Sequence, residues 1–94
     1  MIDLTVAKDY LDVIHSADDE KLLMLLRGAE DEAAQFMNRE HIDDVMEGSE
    51  LPGSVVLGAM LLLQAAYQAS PEDAVTLRQA AQVKLAPYRI CMGV

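Results

Sequence analysis

The chain has 94 residues, the length of one ordinary domain, which excludes a second domain. Hydrophobic residues make up 52% of the sequence, but aromatic residues make up only 4% and tryptophan is absent, so the composition favours helices over a β-sandwich. Sixteen acidic and seven basic residues give a formal net charge of −9, which argues against a surface built to bind phosphate groups or anionic lipid.

The acidic residues are concentrated in one half of the chain. Residues 1–50 contain 14 acidic and four basic residues, a net charge of −10, whereas residues 51–94 contain two acidic and three basic residues, a net charge of +1. The sequence therefore predicts a solvated anionic first half and a nearly neutral, apolar second half.

Capping residues and apolar spacing predict the first two helices. Thr5 is a candidate N-cap for a short helix over residues 6–13, and Ser16 is a candidate N-cap for a second helix that runs to about Asn38. Three acidic residues, 18–20, then fall in the first turn of the second helix, where the helix dipole favours negative charge. The apolar stripe of this second helix consists of Leu22, Leu25, Leu26, Ala29, Ala33, Phe36 and Met37.

Residues 40–50 interrupt the helical pattern. They include five acidic residues, His41 and Gly48, with few apolar residues between them. A long acidic loop, with at most one helical turn inside it, is predicted here. Its length leaves two interpretations open, a mobile surface loop and a contact surface.

The third helix is predicted from Pro52, in its first turn, to about Ala69. Its segment 55–63 is apolar on almost every face, although it is too short to span a membrane. A helix that is apolar all round is buried all round. Because so short a chain has few other helices to surround it, we expect cover from outside the chain.

Two sides of the third helix can be distinguished at 100° per residue. The side expected to pack on the second helix carries Val55, Ala59, Leu62, Leu63 and Ala66. A second stripe aligns Leu57, Leu61, Gln64 and Gln68. Leucines mixed with hydrogen-bonding side chains are common in subunit interfaces, so we predict that this second stripe contacts another subunit. The alternative is that the last helix covers it within one chain.

The last helix is predicted to begin at Ser70, with Pro71 in its first turn and an acid three residues after the serine. Its narrow apolar stripe is Ala74, Leu77, Ala81 and Leu85. Pro87 disfavours helical geometry at the preceding residue, so the helical body should cover about 1–86.

Residues 87–94 should form a C-terminal arm. Tyr88, Arg89 and Ile90 give this arm large apolar groups and a cation, which are unusual in a solvated terminus, so we predict that these three residues dock on a partner. The alternative is that the arm folds back over its own core.

Residues suited to catalysis or metal binding are sparse. His15 and His41 are 26 positions apart, and neither has a ligand neighbour at a metal-binding spacing. Cys91 is the only cysteine, which is typical of a protein made in a reducing compartment. Adjacent carboxylates point apart on a helix and do not form a catalytic pair. We therefore predict a non-enzymatic protein without catalytic residues, metal or cofactor.

These elements predict an all-α fold, a compact bundle of about four helices in a single domain, 1–94, with a long acidic loop and a C-terminal arm. The first residues lack the pattern of a signal peptide, so a cytoplasmic location is expected.

The order of short segments along the chain resembles a known family. In the first half these segments are Leu4-Thr5, Ala7-Lys8, Tyr10-Leu11, Asp18-Asp19-Glu20, Leu22-Leu23, Leu26 and Ala29-Glu30. In the second half they are Leu51-Pro52, Val55, Ala59-Met60-Leu61-Leu62-Leu63, Ala66-Tyr67 and Leu85-Ala86-Pro87-Tyr88-Arg89. Over nearly the whole chain this succession is similar to the small head-tail connector proteins of tailed bacteriophages, the head-completion adaptors of DNA-packaging type. The chain departs from that family at Gln68-Ala69, where members usually have a basic and acidic pair.

The resemblance implies an all-helical subunit of a homo-oligomeric ring of about a dozen copies. Such a ring would lie at the head-tail joint of a virion, between the portal protein and the tail-side completion protein, and would be assembled in the cytoplasm of the bacterial host. It would retain packaged DNA and let it pass through the channel without specific binding, and no membrane would be involved.

Two other classes remain open. The −10 charge of the first half is also typical of a small acidic regulator or DNA mimic that binds a basic partner. An enzyme with an unrecognised site would have to use His41, Cys91 or the carboxylates.

Overall fold

The computed structural model describes residues 1–12, 18–68 and 70–90. The α-helices in these residues are α1 (Leu4–Leu11), α2 (Asp19–Phe36), α3 (Gly53–Tyr67) and α4 (Pro71–Leu85). Two short 3₁₀ helices follow α2 and α4, at Ile42–Val45 and Ala86–Tyr88. The prediction of an all-α bundle of about four helices is confirmed.

Helix α3 is the centre of the bundle, because it packs against α4 on one side and α2 on another. Helix α1 makes smaller contacts with α2 and α3 and buries Ala7 and Leu11. Each large side chain removed from water stabilises the fold by about 1.5–3 kcal/mol. The largest fully buried side chains are Leu22, Leu26, Met37, Val55, Met60, Leu63 and Leu85.

Helices α3 and α4 approach closely at Gly58. A Cβ atom at this position would lie 2.7 Å from Cγ and 2.8 Å from Cδ2 of Leu85. Leu85 is itself fully buried. The missing side chain of Gly58 is therefore what lets Leu85 pack against the backbone of α3.

The first helix begins two residues earlier than predicted. It starts at Leu4, preceded by Asp3 in extended geometry without a side-chain cap, so Thr5 is not the N-cap. It ends at Leu11, because Asp12 adopts the left-handed conformation with φ 57°. The tertiary contacts of Ile2 hold the chain extended just before this helix, and local capping preference does not decide where it begins.

The second and fourth helices agree more closely with prediction. Helix α2 carries Asp19 and Glu20 in its first turn, and its predicted stripe is buried except for the partly exposed Leu25 and Phe36. The N-cap position of α2 is Asp18, so residue 18 precedes the first turn and the predicted cap at Ser16, which lies outside the described residues, was wrong. Ser70 is confirmed as the N-cap of α4, since its Oγ accepts a hydrogen bond of 3.3 Å from the backbone N–H of Asp73.

Most of the side of α3 expected to pack on α2 is buried, but Ala66 is exposed. Ala66 lies in the last turn of α3, and in this turn Ala65 is buried instead. Ala65 lies two turns after Gly58 and so shares the side of α3 that approaches α4. The prediction for Ala66 was wrong because α4 as well as α2 covers α3, so the buried side of α3 extends toward α4 and leaves Ala66 outside it.

The acidic loop is more ordered than its composition suggests. Ile42 and Val45 are buried and anchor the 3₁₀ helix, and Asp44 Oδ2 accepts a hydrogen bond of 3.0 Å from the backbone N–H of His41. The backbones of Glu47 and Glu50 then pair across a tight turn in which Gly48 has φ 66°. A positive φ of this kind favours glycine.

Candidate interaction surfaces

The predicted interface stripe of α3 is only partly covered by the rest of the chain. Leu57 remains 38% exposed, whereas Leu61 is partly buried and packs against the core. Gln64 and Gln68 lie along the same stripe, toward the end of α3. The stripe therefore presents one exposed leucine at its beginning and two glutamines at its end.

Both glutamines are held by α1. Gln64 Oε1 accepts a hydrogen bond of 3.1 Å from the Tyr10 hydroxyl, and Gln68 Nε2 donates one of 3.5 Å to the carbonyl of Leu11. Both also line an open groove of about 380 Å³ that is completed by side chains of α4. The glutamines thus hold α1 along α3, a role that their sequence spacing did not indicate. A contact of this stripe with another subunit stays a prediction.

The C-terminal arm turns back toward the end of α2. The backbone N–H of Ile90 donates a hydrogen bond of 3.0 Å to the carbonyl of Met37, and Asn38 Nδ2 donates one of 2.6 Å to the carbonyl of Ile90. The guanidinium of Arg39 donates to the carbonyl of Tyr88 at 3.3 and 3.1 Å. The end of α2 therefore fixes the backbone of residues 88–90.

The side chains of the arm follow the same direction. The Arg89 guanidinium lies 5.0 Å from the ring centroid of Phe36, a cation–π distance, and Tyr88 packs partly buried against the core. Ile90 remains 40% exposed. In this geometry residues 88–90 fold back on their own chain, which is the alternative interpretation given for the arm. Docking of the same three residues on a partner stays a prediction. Residues 91–94, including Cys91, lie outside the described residues.

A further exposed surface lies on the outward side of α4 and the start of the following 3₁₀ helix. Val75 and Val83 are 58% and 70% exposed, which is high for large apolar side chains. The exposed residues on this side are Glu72, Val75, Thr76, Gln79, Gln82, Val83 and Ala86, and we call them the α4 face. Only Glu72 among them is charged. The sequence analysis assigned the buried stripe of α4 and did not single out the two exposed valines.

Carboxylates are numerous on the described surface outside the α4 face. Among the described residues, the ion pairs of basic side chains join Lys8 to Asp19 at 2.8 Å, Arg27 to Glu30 at 2.6 Å and Arg78 to Glu32 at 3.1 Å. The carboxylates that make neither a hydrogen bond nor an ion pair within the described part are Asp3, Asp9, Asp12, Glu20, Asp31, Glu40, Glu47, Glu50, Glu72 and Asp73. Most of them belong to α1, α2 and the acidic loop, so the negative potential is concentrated there.

One carboxylate is buried and holds the first residues of the chain. Glu30 is 4% exposed, and its Oε2 accepts a hydrogen bond of 2.7 Å from the backbone N–H of Ile2. Arg27 Nη1 donates both to Glu30 Oε1 and, at 3.1 Å, to the carbonyl of Ile2. The amino group of Met1 pairs with Asp43. Arg27 therefore links α2 to the first residues of the chain.

Tyr67 connects the end of α3 to the beginning of α2. Its hydroxyl donates a hydrogen bond of 3.3 Å to Asp18 Oδ2. Partial removal from water, the negative charge of Asp18 and this hydrogen bond together raise the pKa of Tyr67 above its usual value of 10.0. Tyr67 therefore stays protonated to a higher pH in the folded protein than in the unfolded chain.

Within residues 1–12, 18–68 and 70–90, there is no group of three or more histidine, cysteine or carboxylate side chains arranged to hold a metal ion. His41 uses its backbone to contact Asp44, and His15 lies outside the described residues. None of the described helices has the length and apolar character needed to cross a membrane. Comparisons of the chain with protein-family models, curated proteins and solved structures yielded no match.

Proposed function

We propose that this protein is a non-enzymatic structural subunit of a ring-shaped head-tail connector in a tailed bacteriophage. It would lie below the portal at the head-tail joint of the virion and contribute to head completion, DNA retention and DNA passage. The observation that carries the proposal is the exposure of Leu57 on α3, the most apolar of the described helices. A neighbouring subunit is the natural cover for it.

The succession of sequence segments that resembles the small connector proteins supports the same function. The all-α subunit of four helices is of the kind that this resemblance implies. The resemblance runs in order over nearly the whole chain. Its second half includes the segment Leu85–Arg89, which contains the end of α4 and the 3₁₀ helix that follows it.

The charge distribution suits a conduit for DNA. Phosphate contacts by lysine and arginine supply most of the nonspecific affinity for DNA, and strong affinity would hold the duplex in place. Here the arginines at 27, 39 and 78 are bound to groups of the protein itself, while many carboxylates are exposed. A labelled duplex at low salt should therefore show no binding by fluorescence anisotropy, and micromolar binding would contradict the conduit argument.

Electron microscopy of negatively stained protein, alone and mixed with the portal protein, tests the ring. We expect rings for the wild type and none for Leu57→Ser, with unchanged helical circular dichroism and a change in stability within about 0.5 kcal/mol, as for other surface substitutions. Met24→Ser is the matched control, because Met24 is also apolar and is more exposed, on α2. Absence of rings in every mixture, or rings in Leu57→Ser equal to those of the wild type, would contradict the proposal.

The second candidate is an acidic regulator or DNA mimic that binds a basic protein. The unpaired carboxylates of α1, α2 and the acidic loop favour it. A mimic would form no ring, and it would bind a basic partner tightly at low salt with strong weakening as salt is added. The electron micrographs distinguish the two candidates.

A further inference from the structure

The α4 face is a strip of exposed residues about four turns long in which charge is confined to the first turn. It begins at Glu72 and continues without charge to Ala86, while the whole chain has a net charge of −9. Val75 and Val83 project from it, and Gln79 lies midway between them, four residues from each. Exposure to solvent alone does not explain why this face, in so acidic a protein, carries two valines and only one charge.

We propose that the α4 face binds the same face of a second copy, with the two α4 helices antiparallel about a two-fold axis at Gln79. In this arrangement a residue n positions before Gln79 lies level with the residue n positions after it in the partner. Val75 of each copy then packs beside Val83 of the other, and the two Gln79 side chains meet at the axis. The face is therefore self-complementary, as an isologous contact requires.

The charge distribution favours a second copy as the partner and an antiparallel arrangement of the two α4 helices. Any approach through α1, α2 or the acidic loop brings unpaired carboxylates of two copies together, whereas the α4 face brings almost none. Asp73 and Lys84 lie on the same flank of α4, and Lys84 makes no ion pair among the described residues. Antiparallel helices place Lys84 of one copy nearly level with Asp73 of the other. Parallel helices related by a two-fold axis would place these two flanks on opposite sides of the contact and would not form this pair.

The other flank of α4 adds no net repulsion. Arg78 lies there, and Glu32 of the same chain neutralises it through contacts of 3.1 and 3.5 Å. A single helix pair is a small interface, at the lower end of the areas that specific contacts bury. The expected dissociation constant is therefore on the order of micromolar to tens of micromolar.

This two-fold contact goes beyond the proposed ring. It shares no residue with the stripe of Leu57, Leu61, Gln64 and Gln68. Loss of the α4 contact would therefore leave the ring assignment standing, and the reverse also holds.

Sedimentation velocity over a concentration series tests the contact. The test uses the Leu57→Ser protein, in which the proposed ring contact is removed. This protein should pass from monomer to dimer, and adding Val75→Lys with Val83→Lys should weaken its association at least tenfold while keeping its helical circular dichroism. The control adds Leu23→Lys with Met24→Lys instead, which introduces the same charge at exposed apolar positions of α2 and should leave dimerisation unchanged. A Leu57→Ser protein that stays monomeric at hundreds of micromolar overturns the proposal, and so does dimerisation that persists in the α4 variant.

Cross-linking tests the direction independently of affinity. In a Cys91→Ser background, Val75→Cys and Val83→Cys proteins are prepared separately, then mixed and treated with a short bis-maleimide. The mixture should yield cross-linked dimers, and each protein alone should yield few. Efficient cross-linking of Val75→Cys with itself would indicate parallel helices and overturn the two-fold arrangement, and no cross-link in the mixture would overturn the contact.

Discussion

The close approach of α3 and α4 makes Gly58 the position where a single methyl group should be most costly. Alanine normally stabilises a helix interior by about 1 kcal/mol relative to glycine. At residue 58, however, the new Cβ would lie 2.7 Å from Leu85 Cγ, far inside the 3.5–4.0 Å at which carbon atoms attract. Leu85 is fully buried, so it cannot shift without displacing the side chains that pack around it. Overpacking of this kind costs about 1–3 kcal/mol, so Gly58→Ala should be destabilising overall by about 1 kcal/mol.

Gly28 supplies the matched control for Gly58. It lies inside α2, and a Cβ there would meet no atom within 4 Å, so Gly28→Ala should stabilise the protein by up to about 1 kcal/mol. Urea unfolding of the two variants should therefore differ by about 2 kcal/mol, or on the order of 10 °C in melting temperature for a domain of this size. The packing argument is refuted if Gly58→Ala stabilises the protein as much as Gly28→Ala does.

A double-mutant cycle then assigns the cost to Leu85. Leu85→Ala alone should cost about 2–5 kcal/mol, because it leaves a cavity beside Gly58. In that background, Gly58→Ala should become neutral or stabilising, since its methyl group enters the vacated space. The expected coupling is about 1–3 kcal/mol, and additive effects would show that the strain lies elsewhere.

Three further predictions concern contacts outside the core. Glu30→Ala should destabilise the protein by about 1.5–3 kcal/mol, because it removes a buried carboxylate that accepts hydrogen bonds from the backbone of residue 2 and from Arg27. The control Glu32→Ala breaks an exposed ion pair and should cost no more than about 1 kcal/mol. Equal losses of stability in urea unfolding would contradict the structural role of Glu30. Arg39→Ala should accelerate amide hydrogen exchange at Ile90 by releasing the backbone of the arm, without changing exchange in α3, and unchanged protection at Ile90 would show that the arm does not depend on this guanidinium. Because folding raises the pKa of Tyr67, the tyrosine hydroxyl loses its proton at a lower pH in the unfolded chain than in the folded protein. Stability should therefore fall as the pH rises above about 10. Tyr67→Phe should lose less stability than the wild type between pH 8 and pH 10.5, and equal losses in the two proteins would exclude a contribution from Tyr67.

The sequence predicts this fold best where local rules decide the structure. The apolar stripe of α2 has a regular helical period, and Ser70 followed by Pro71 is a strong start signal, so both helices were predicted close to their observed bounds. The beginning of α1 was missed, because it depends on the hydrogen bond between the backbone N–H of Ile2 and Glu30, which are 28 positions apart. No local pattern carries that information.

The candidate surfaces likewise combine features that the local sequence predicts with contacts that depend on distant residues. The helical wheel correctly aligned Leu57 with Gln64, but it did not indicate that Tyr10, 54 positions away, donates a hydrogen bond to that glutamine. The direction of the arm likewise depends on Arg39, which is 49 positions from its acceptor, the carbonyl of Tyr88. The α4 face needed no distant information, because the helical wheel that aligns the buried stripe of α4 places Val75 and Val83 on the opposite side.

The central position of α3 has a consequence for how the protein is made. The apolar stripe of α2 emerges from the ribosome before α3, which covers it, and α3 is in turn completed only by Leu85 near the end of α4. The bundle therefore closes after most of the chain has been synthesised, and until then the nascent chain exposes apolar surface, the condition that favours aggregation. The charge of −10 on residues 1–50 is already present at that stage, and like-charged chains repel one another. The acidic first half would therefore oppose aggregation of unfinished chains before the apolar second half is covered.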